Sequence, residues 1–292
     1  GIIGFDYSFI ISASLDIPPY VYIENGKVTA TSFDTIGETN GKGSWRKGVI
    51  GNDFKHDQVL EKFTDKAINY IKEKSVSKDP FFLYLAFSSP HTPILPTKKY
   101  LGKSGTKGYG DFVLMTDDMV GKILKAISDA GIENNTLIVF TSDNGCSPAA
   151  DFKELEKYGH NPSYIFRGTK ADIFEGGHRI PFIAKWPGKV KPASVCTITI
   201  CLTDFMATCA SIVNKQLPDN AAEDSYNILP LFLGNFKGSY PRTSTIHHSI
   251  DGNFAIRKGK WKLEFCPGSG GWSYPTKKDL VSLKFPEVQL YN

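Results

Sequence analysis

The segment Thr136–Gly145, Thr-Leu-Ile-Val-Phe-Thr-Ser-Asp-Asn-Gly, constrains this chain more than any other stretch. A run of β-formers, Leu137, Ile138, Val139 and Phe140, stops abruptly at Asp143-Asn144-Gly145. That pattern predicts a buried strand that delivers a carboxylate and an amide to its C-terminal end, followed by a tight turn. In open α/β sheets ligands bind at the carboxyl ends of strands. Adjacent oxygen-bearing side chains there suit a hard cation such as Ca²⁺ or Mg²⁺. The same three residues are also the commonest turn formers. Taken alone, the motif leaves both a turn and a metal site open.

The surrounding pattern is that of an α/β protein. Residues 56–75 place Val59, Phe63, Ala67, Ile68 and Ile71 on one stripe, which predicts an amphipathic helix. Pro80-Phe81-Phe82-Leu83-Tyr84-Leu85-Ala86-Phe87 is a continuous apolar run, the mark of a strand covered on both faces, and it ends in Ser88-Ser89-Pro90-His91-Thr92-Pro93. A second helix is expected over 111–130, with Val113, Val120, Leu124 and Ile127 facing the core and Gly131 as its stop. Strand, helix, strand in this order predicts a parallel βαβ unit. Residues 181–186 predict another strand, closed by Pro187-Gly188, and 203–213 a helix. Residues 1–50, rich in Gly, Pro and aromatics, read as surface excursions with short strand-like pieces such as Tyr20-Val21-Tyr22-Ile23.

From about residue 236 the pattern changes to short β pieces: 245–248, 254–257 and 261–264, with a hairpin turn at Lys258-Gly259-Lys260. The expected organisation is an α/β core over 1–235 and a small antiparallel subdomain over 236–292. A chain of 292 residues can bury cores of this size.

Composition narrows the partners. A net charge of +4 without any Lys/Arg-rich run argues against nucleic acid, and is compatible with an anionic substrate. The five cysteines match no zinc spacing. No membrane span is expected, because the longest apolar stretch, around 195–213, is interrupted by Thr203-Asp204. The chain opens on Gly1-Ile2-Ile3 without Met or a charged leader and stops at Leu290-Tyr291-Asn292, so it reads as cut at both ends.

Three segments fit one site: His91, Asp143-Asn144, and Arg167-Gly168-Thr169-Lys170 with Glu175-Gly176-Gly177-His178-Arg179-Ile180-Pro181 after it. A cation, a lysine and a histidine together suit a tetrahedral oxyanion. The cation polarises its oxygens, the lysine adds a compact positive charge, and the histidine moves a proton or donates a hydrogen bond. Glu175 and Arg179 are expected to pair with each other and hold the loop.

Thr141-Ser142-Asp143-Asn144-Gly145, Arg167–Lys170 and Glu175–Pro181, in this order after the Phe81…Pro90-His91-Thr92-Pro93 segment, resemble the sulfatases of the alkaline-phosphatase superfamily. The likeness is greatest to arylsulfatases and N-acetylgalactosamine-6-sulfatase-like enzymes, and runs from Gly4-Phe5-Asp6 to Asn292. It implies an alkaline-phosphatase-like fold, a mixed, mostly parallel sheet sandwiched by helices, with the small antiparallel subdomain after it. It implies that Asp143 and Asn144 are half of a Ca²⁺ site, that Lys170 contacts the sulfate, and that His91 contacts it or acts as acid near the leaving oxygen. Ser14 matches a serine placed near the sulfate, and His247 and His248 fall on the glycan side of the pocket. The implied substrate is a sulfated carbohydrate or an aryl sulfate, and the implied location is exported: periplasmic, extracellular or lysosomal.

The family's nucleophile is a formylglycine made from Cys or Ser in a C/S-x-P/A-x-R motif. Cys146-Ser147-Pro148-Ala149-Ala150 comes nearest but carries Ala150 where Arg is required. The motif and the paired aspartates that complete the calcium site are therefore expected upstream of residue 1. Two other readings stay open: a non-catalytic fragment or pseudoenzyme that binds sulfated glycans, and a phosphatase or phosphodiesterase of the same superfamily.

Overall fold

The structure, a computed structural model, describes residues 4–238, 240–282 and 284–292; the opening Gly1-Ile2-Ile3 lies outside the described residues. The chain folds into two compact units, residues 1–132 with 149–162, and residues 133–148 with 163–292.

The first unit opens with a three-stranded antiparallel meander of β1 (Phe9–Ile11), β2 (Tyr22–Glu24) and β3 (Lys27–Val28). Asn25-Gly26 turns β2 into β3 with both residues at positive φ, the conformation that two-residue hairpins demand. β4 (Phe33–Ile36) and β5 (Gly48–Gly51) form a second antiparallel pair. Helices α1 (Val59–Ser75) and α2 (Lys107–Asp129) pack on each other, and α3 (Phe152–Glu156) is capped by the Asp151 carboxylate, which accepts from the Glu154 amide.

Three expectations are corrected here. Residues 4–50 are not all surface excursions: Leu15, Tyr20, Val21 and Tyr22 are buried, and Leu15, Tyr20 and Tyr22 share a core with Phe54 and Val59. Tyr20 and Tyr22 turn inward, while Phe5 and Phe33 stay exposed. In α2 the core stripe is Phe112, Met115, Met119, Ile123, Ala126 and Ile127, with Val113 41% exposed. The helix is rotated by about a residue, because the larger Phe and Met side chains bury more apolar area than the valines. Residues 80–87 form no strand: their side chains alternate in exposure, Phe82 and Tyr84 facing outward, but no described residue supplies a ladder partner. An extended segment becomes a strand only through its neighbour.

In the second unit β6 (Ile138–Thr141) pairs with β7 (Phe182–Lys185). The pairing is antiparallel, with Thr141 opposite Phe182, so the βαβ unit expected from 80–87 through 136–141 does not form among the described residues. The intervening chain, which includes α4 (Glu175–His178), reverses direction, and the Thr141 hydroxyl closes the reversal by donating to the Pro181 carbonyl at 2.9 Å. Helices α5 (Phe205–Ile212) and α6 (Leu229–Phe232) follow.

The C-terminal antiparallel sheet is present as expected. Strands β8 (Thr245–His248), β9 (Phe254–Lys258), β10 (Trp261–Glu264) and β11 (Gln289–Tyr291) stand in the order β11-β10-β9-β8. Register places His247, Ala255, Arg257, Lys262 and Glu264 on one face, and Ile246, Phe254, Trp261, Phe265 and Leu290 on the other. Lys262 and Glu264 are buried, while the apolar five are each about half exposed or more.

Candidate functional site

β6 runs out into Ser142-Asp143-Asn144-Gly145, a turn stitched by its own side chains. The Asn144 amide donates to Asp143 Oδ1 at 2.9 Å, and the Ser142 hydroxyl donates to the Asn144 carbonyl at 3.0 Å. Asn144 Nδ2 donates to the Gly145 carbonyl at 3.0 Å, which turns the side-chain oxygen of Asn144 to the other side. Asp143 is exposed and Asn144 half-buried.

This turn packs directly on the Lys170 loop. The Lys170 amide donates to the Cys146 carbonyl at 2.8 Å, and the Gly145 amide donates to the Gly177 carbonyl at 2.9 Å. A Cβ at Gly145 would fall on the Gly176 carbonyl, and one at Gly176 would fall on the Gly168 carbonyl, so the two backbones touch only because these positions lack side chains. Asp143, Asn144 and Lys170 are thus brought together within the second unit.

The Lys170 turn is itself clamped. Gly168 and Ala171 both lie at positive φ, a conformation that an alanine holds only when its surroundings dictate it. The buried Asp172 carboxylate accepts from the Thr169 amide at 2.7 Å, the Trp272 amide at 2.8 Å and the Ser273 amide at 3.0 Å. The Ala171 carbonyl accepts from the Ile250 amide at 2.9 Å. Lys170 is half-buried, and among the described residues no carboxylate pairs with its ammonium.

Beneath the turn lies a charged layer. Glu175 on α4 pairs with Arg179 at 3.3 Å, as expected from the sequence, but also with Arg257 at 2.7 Å and Lys262 at 3.1 Å. Lys262 reaches Glu264 at 3.3 Å and His178 Nε2 at 3.1 Å, and donates to the Ile173 carbonyl. The His178 ring packs on His247 with centroids 3.7 Å apart. Burial pushes the His247 imidazole down to about 3, and it lowers His178 as well. Glu175 is held far below the usual carboxylate range despite burial, by His178, Arg257 and Lys262. Lys262 and Glu264, conversely, are shifted by burial toward their neutral forms, Lys262 downward and Glu264 upward.

His91 and Ser14 belong to the first unit. His91 is half-buried, and its Nδ1–H donates to the Thr92 carbonyl at 2.7 Å. The Ser14 hydroxyl donates to Asp16 Oδ1. His248, in the second unit, is exposed, with its Nδ1–H donating to the Ser249 carbonyl at 2.9 Å.

As cation ligands, Asp143 and Asn144 have the right chemistry, two hard oxygen donors on one tight turn, but too few of them. Among the described residues no group of three or more His, Cys, Asp or Glu stands together as a metal cage. Sequence reasoning missed Asp172, Lys262 and Glu264. Asp172 lay two residues beyond Lys170; for the strand pair, alternation along 261–264 was the signal, but not which face turns inward.

Comparison with known proteins gives a consistent picture. A family model described as Sulfatase matches residues 6–214. An N-acetylgalactosamine-6-O-sulfatase of Bacteroides thetaiotaomicron is 31% identical over 98% of this chain, which spans 62% of that protein. The N-acetylgalactosamine-6-sulfatase of Canis lupus familiaris is 32% identical over 73% of the chain, which spans 40% of it. A solved Bacteroides thetaiotaomicron structure connected with the metabolism of multiple glycosaminoglycans superimposes with a TM-score of 0.83 at 31% identity, covering 99% of this chain and 66% of that one. The chain therefore spans less than two thirds of each of these relatives.

Proposed function

Because this chain belongs to the sulfatase family, we propose that it serves the hydrolysis of a sulfate ester on a sugar or an aryl alcohol. The observation that supports this most is the joining of the Asp143-Asn144 turn to the Lys170 loop through the 2.8 Å bond from the Lys170 amide to the Cys146 carbonyl. It packs the backbone of half-buried Lys170 against the turn that carries two hard oxygen donors, a set of residue types suited to a tetrahedral anion.

In this reading the Lys170 ammonium holds a sulfate oxygen, and its lack of a carboxylate partner among the described residues leaves it available for that anion. Asp143 and Asn144 would hold a Ca²⁺ ion, which when bound adds positive charge against the sulfate oxygens. His91 is proposed as the group that accepts or returns a proton; because its Nδ1–H is committed to a backbone carbonyl, Nε2 is the nitrogen that would carry it. Ser14 and His248 are proposed to contact the substrate. Attack on sulfur is assigned to a formylglycine; residues 1–292 contain no C/S-x-P/A-x-R stretch, so this chain by itself is expected to bind sulfate without turning over an aryl sulfate. The sugar-sulfate names of the relatives favour a sulfated amino sugar as substrate.

The test is binding of inorganic sulfate, measured by calorimetry on the chain and on Lys170→Ala. The substitution is expected to weaken sulfate by about tenfold or more, the scale of one charge-assisted contact. Equal affinity in the two proteins would remove Lys170 from the site and the reading with it.

A further inference from the structure

Lys262 is a lysine on the inward face of a sheet, 2% exposed, a placement that costs free energy unless the ammonium is fully partnered. Its partners are unevenly distributed. Glu264 is on its own strand; the other three, the Ile173 carbonyl, Glu175 at 3.1 Å and His178 Nε2 at 3.1 Å, all lie within the six residues 173–178. Those residues follow the Lys170 turn directly, and their glycines carry the backbone that meets the Asp143-Asn144 turn.

The buried ammonium is therefore satisfied only when 173–178 is seated on the sheet. Arg257 on β9 adds a second cation to Glu175, and His247 on β8 covers the His178 ring. From the other side Asp172 pins Thr169 to Trp272 and Ser273. The chain on both sides of Lys170 is thus fixed to the C-terminal subdomain.

We propose that Lys262 is a positioning residue for Lys170: from the core of the antiparallel sheet it fixes the loop that aims the Lys170 ammonium at the anion. The assignment rests on the reading that Lys170 holds the sulfate. It gives the C-terminal sheet a part in the site, although none of its charged residues needs to touch the substrate.

The experiment compares the wild-type chain with Lys262→Met, Lys262→Arg and Lys170→Ala by two measurements, inorganic-sulfate affinity and amide hydrogen exchange. Lys262→Met is expected to weaken sulfate by about tenfold and to speed exchange over 169–178 by a similar factor, while amides of β6 and β7 keep their rates. Lys262→Arg, which keeps the cation and its donors, is expected to restore most of the affinity; a purely space-filling role for residue 262 would not show that rescue. Lys170→Ala is expected to lose sulfate with exchange unchanged. If Lys262→Met folds and binds sulfate as tightly as wild type, the assignment is overturned, and unchanged exchange over 169–178 overturns it too. Should Lys262→Met not fold, Glu264→Gln, which removes one counter-charge at constant shape, is expected to act in the same direction, and unchanged affinity and exchange there overturn the assignment. If wild type and Lys170→Ala bind sulfate equally, the proposed function fails instead, and the exchange arm alone still decides whether Lys262 holds the loop.

Discussion

Gly145 shows what a single residue decides in this site. In the sequence it closes an Asp-Asn-Gly turn, and any small flexible residue would satisfy that reading. In the fold its missing side chain lets the β6 turn touch the α4 backbone, because a Cβ would occupy the place of the Gly176 carbonyl oxygen. Gly145→Ala is therefore expected to destabilise the second unit by about 2 kcal/mol, the scale of overpacking a tight contact, and to weaken sulfate with it. Urea unfolding of the variant checks this; an unchanged midpoint would mean that the two loops are not in backbone contact. Asp172 makes the same point with opposite visibility. A lone Asp two residues after Lys170 carries no signal in the sequence, yet its carboxylate joins the Thr169 amide of its own turn to the distant Trp272 and Ser273 amides. Such a residue is illegible because its partners, 169 and 272–273, meet only through the fold.

Among the elements, periodicity gave type and place but not rotation or pairing. The α2 region was readable as a helix from its spacing, yet Phe112 and the methionines rather than Val113 face the core. The segment 136–141 was readable as a strand, yet its partner is antiparallel β7. The C-terminal hairpins were readable from alternation and the Gly259 turn, but alternation is symmetric between faces. The fold turned the charged face inward and left Ile246, Phe254 and Trp261 outside. That choice buries His247 against His178, with His247 Nε2 and His178 Nδ1 lacking hydrogen-bond partners among the described residues. His247 stays neutral in the fold down to about pH 3, whereas an unfolded histidine gains a proton near pH 6.5. Between those values the unfolded state binds more protons, so the stability His247 contributes is present above pH 6.5 and is lost as pH falls toward 3. The urea midpoint is expected to drop between pH 7 and pH 5, and His247→Phe, which keeps a ring on His178, to flatten that drop. A variant with the wild-type slope would place the acid sensitivity elsewhere.

At the scale of the whole molecule, two units divide the residues that the sequence reading grouped: His91 and Ser14 in one, Asp143, Asn144, Lys170 and His248 in the other. Among the described residues no helix is long and apolar enough to cross a membrane. The chain spans 62% of its Bacteroides thetaiotaomicron relative, and the proposed donors Asp143 and Asn144 are one carboxylate and one amide where Ca²⁺ takes six to eight oxygens. Calorimetry with Ca²⁺ on residues 1–292 is accordingly expected to give a dissociation constant of about a millimolar or weaker, the range of sites poor in charged ligands. Micromolar binding would reveal ligands beyond Asp143 and Asn144. By itself the sequence determined the family, the three longest helices, the strands at 138–141, 182–185 and in the C-terminal hairpins, and the residue types at the candidate site, because motifs and periodicities are local and survive in one dimension. Only the tertiary structure decided which strands pair, which sheet face is buried, and that Lys262 and Asp172 bond the chain on either side of Lys170. These depend on contacts between residues far apart in the chain, from Thr141 and Phe182 in the β6–β7 pair to Asp172 and Trp272 under the Lys170 turn, and for the buried charges desolvation selects the arrangement that supplies their partners.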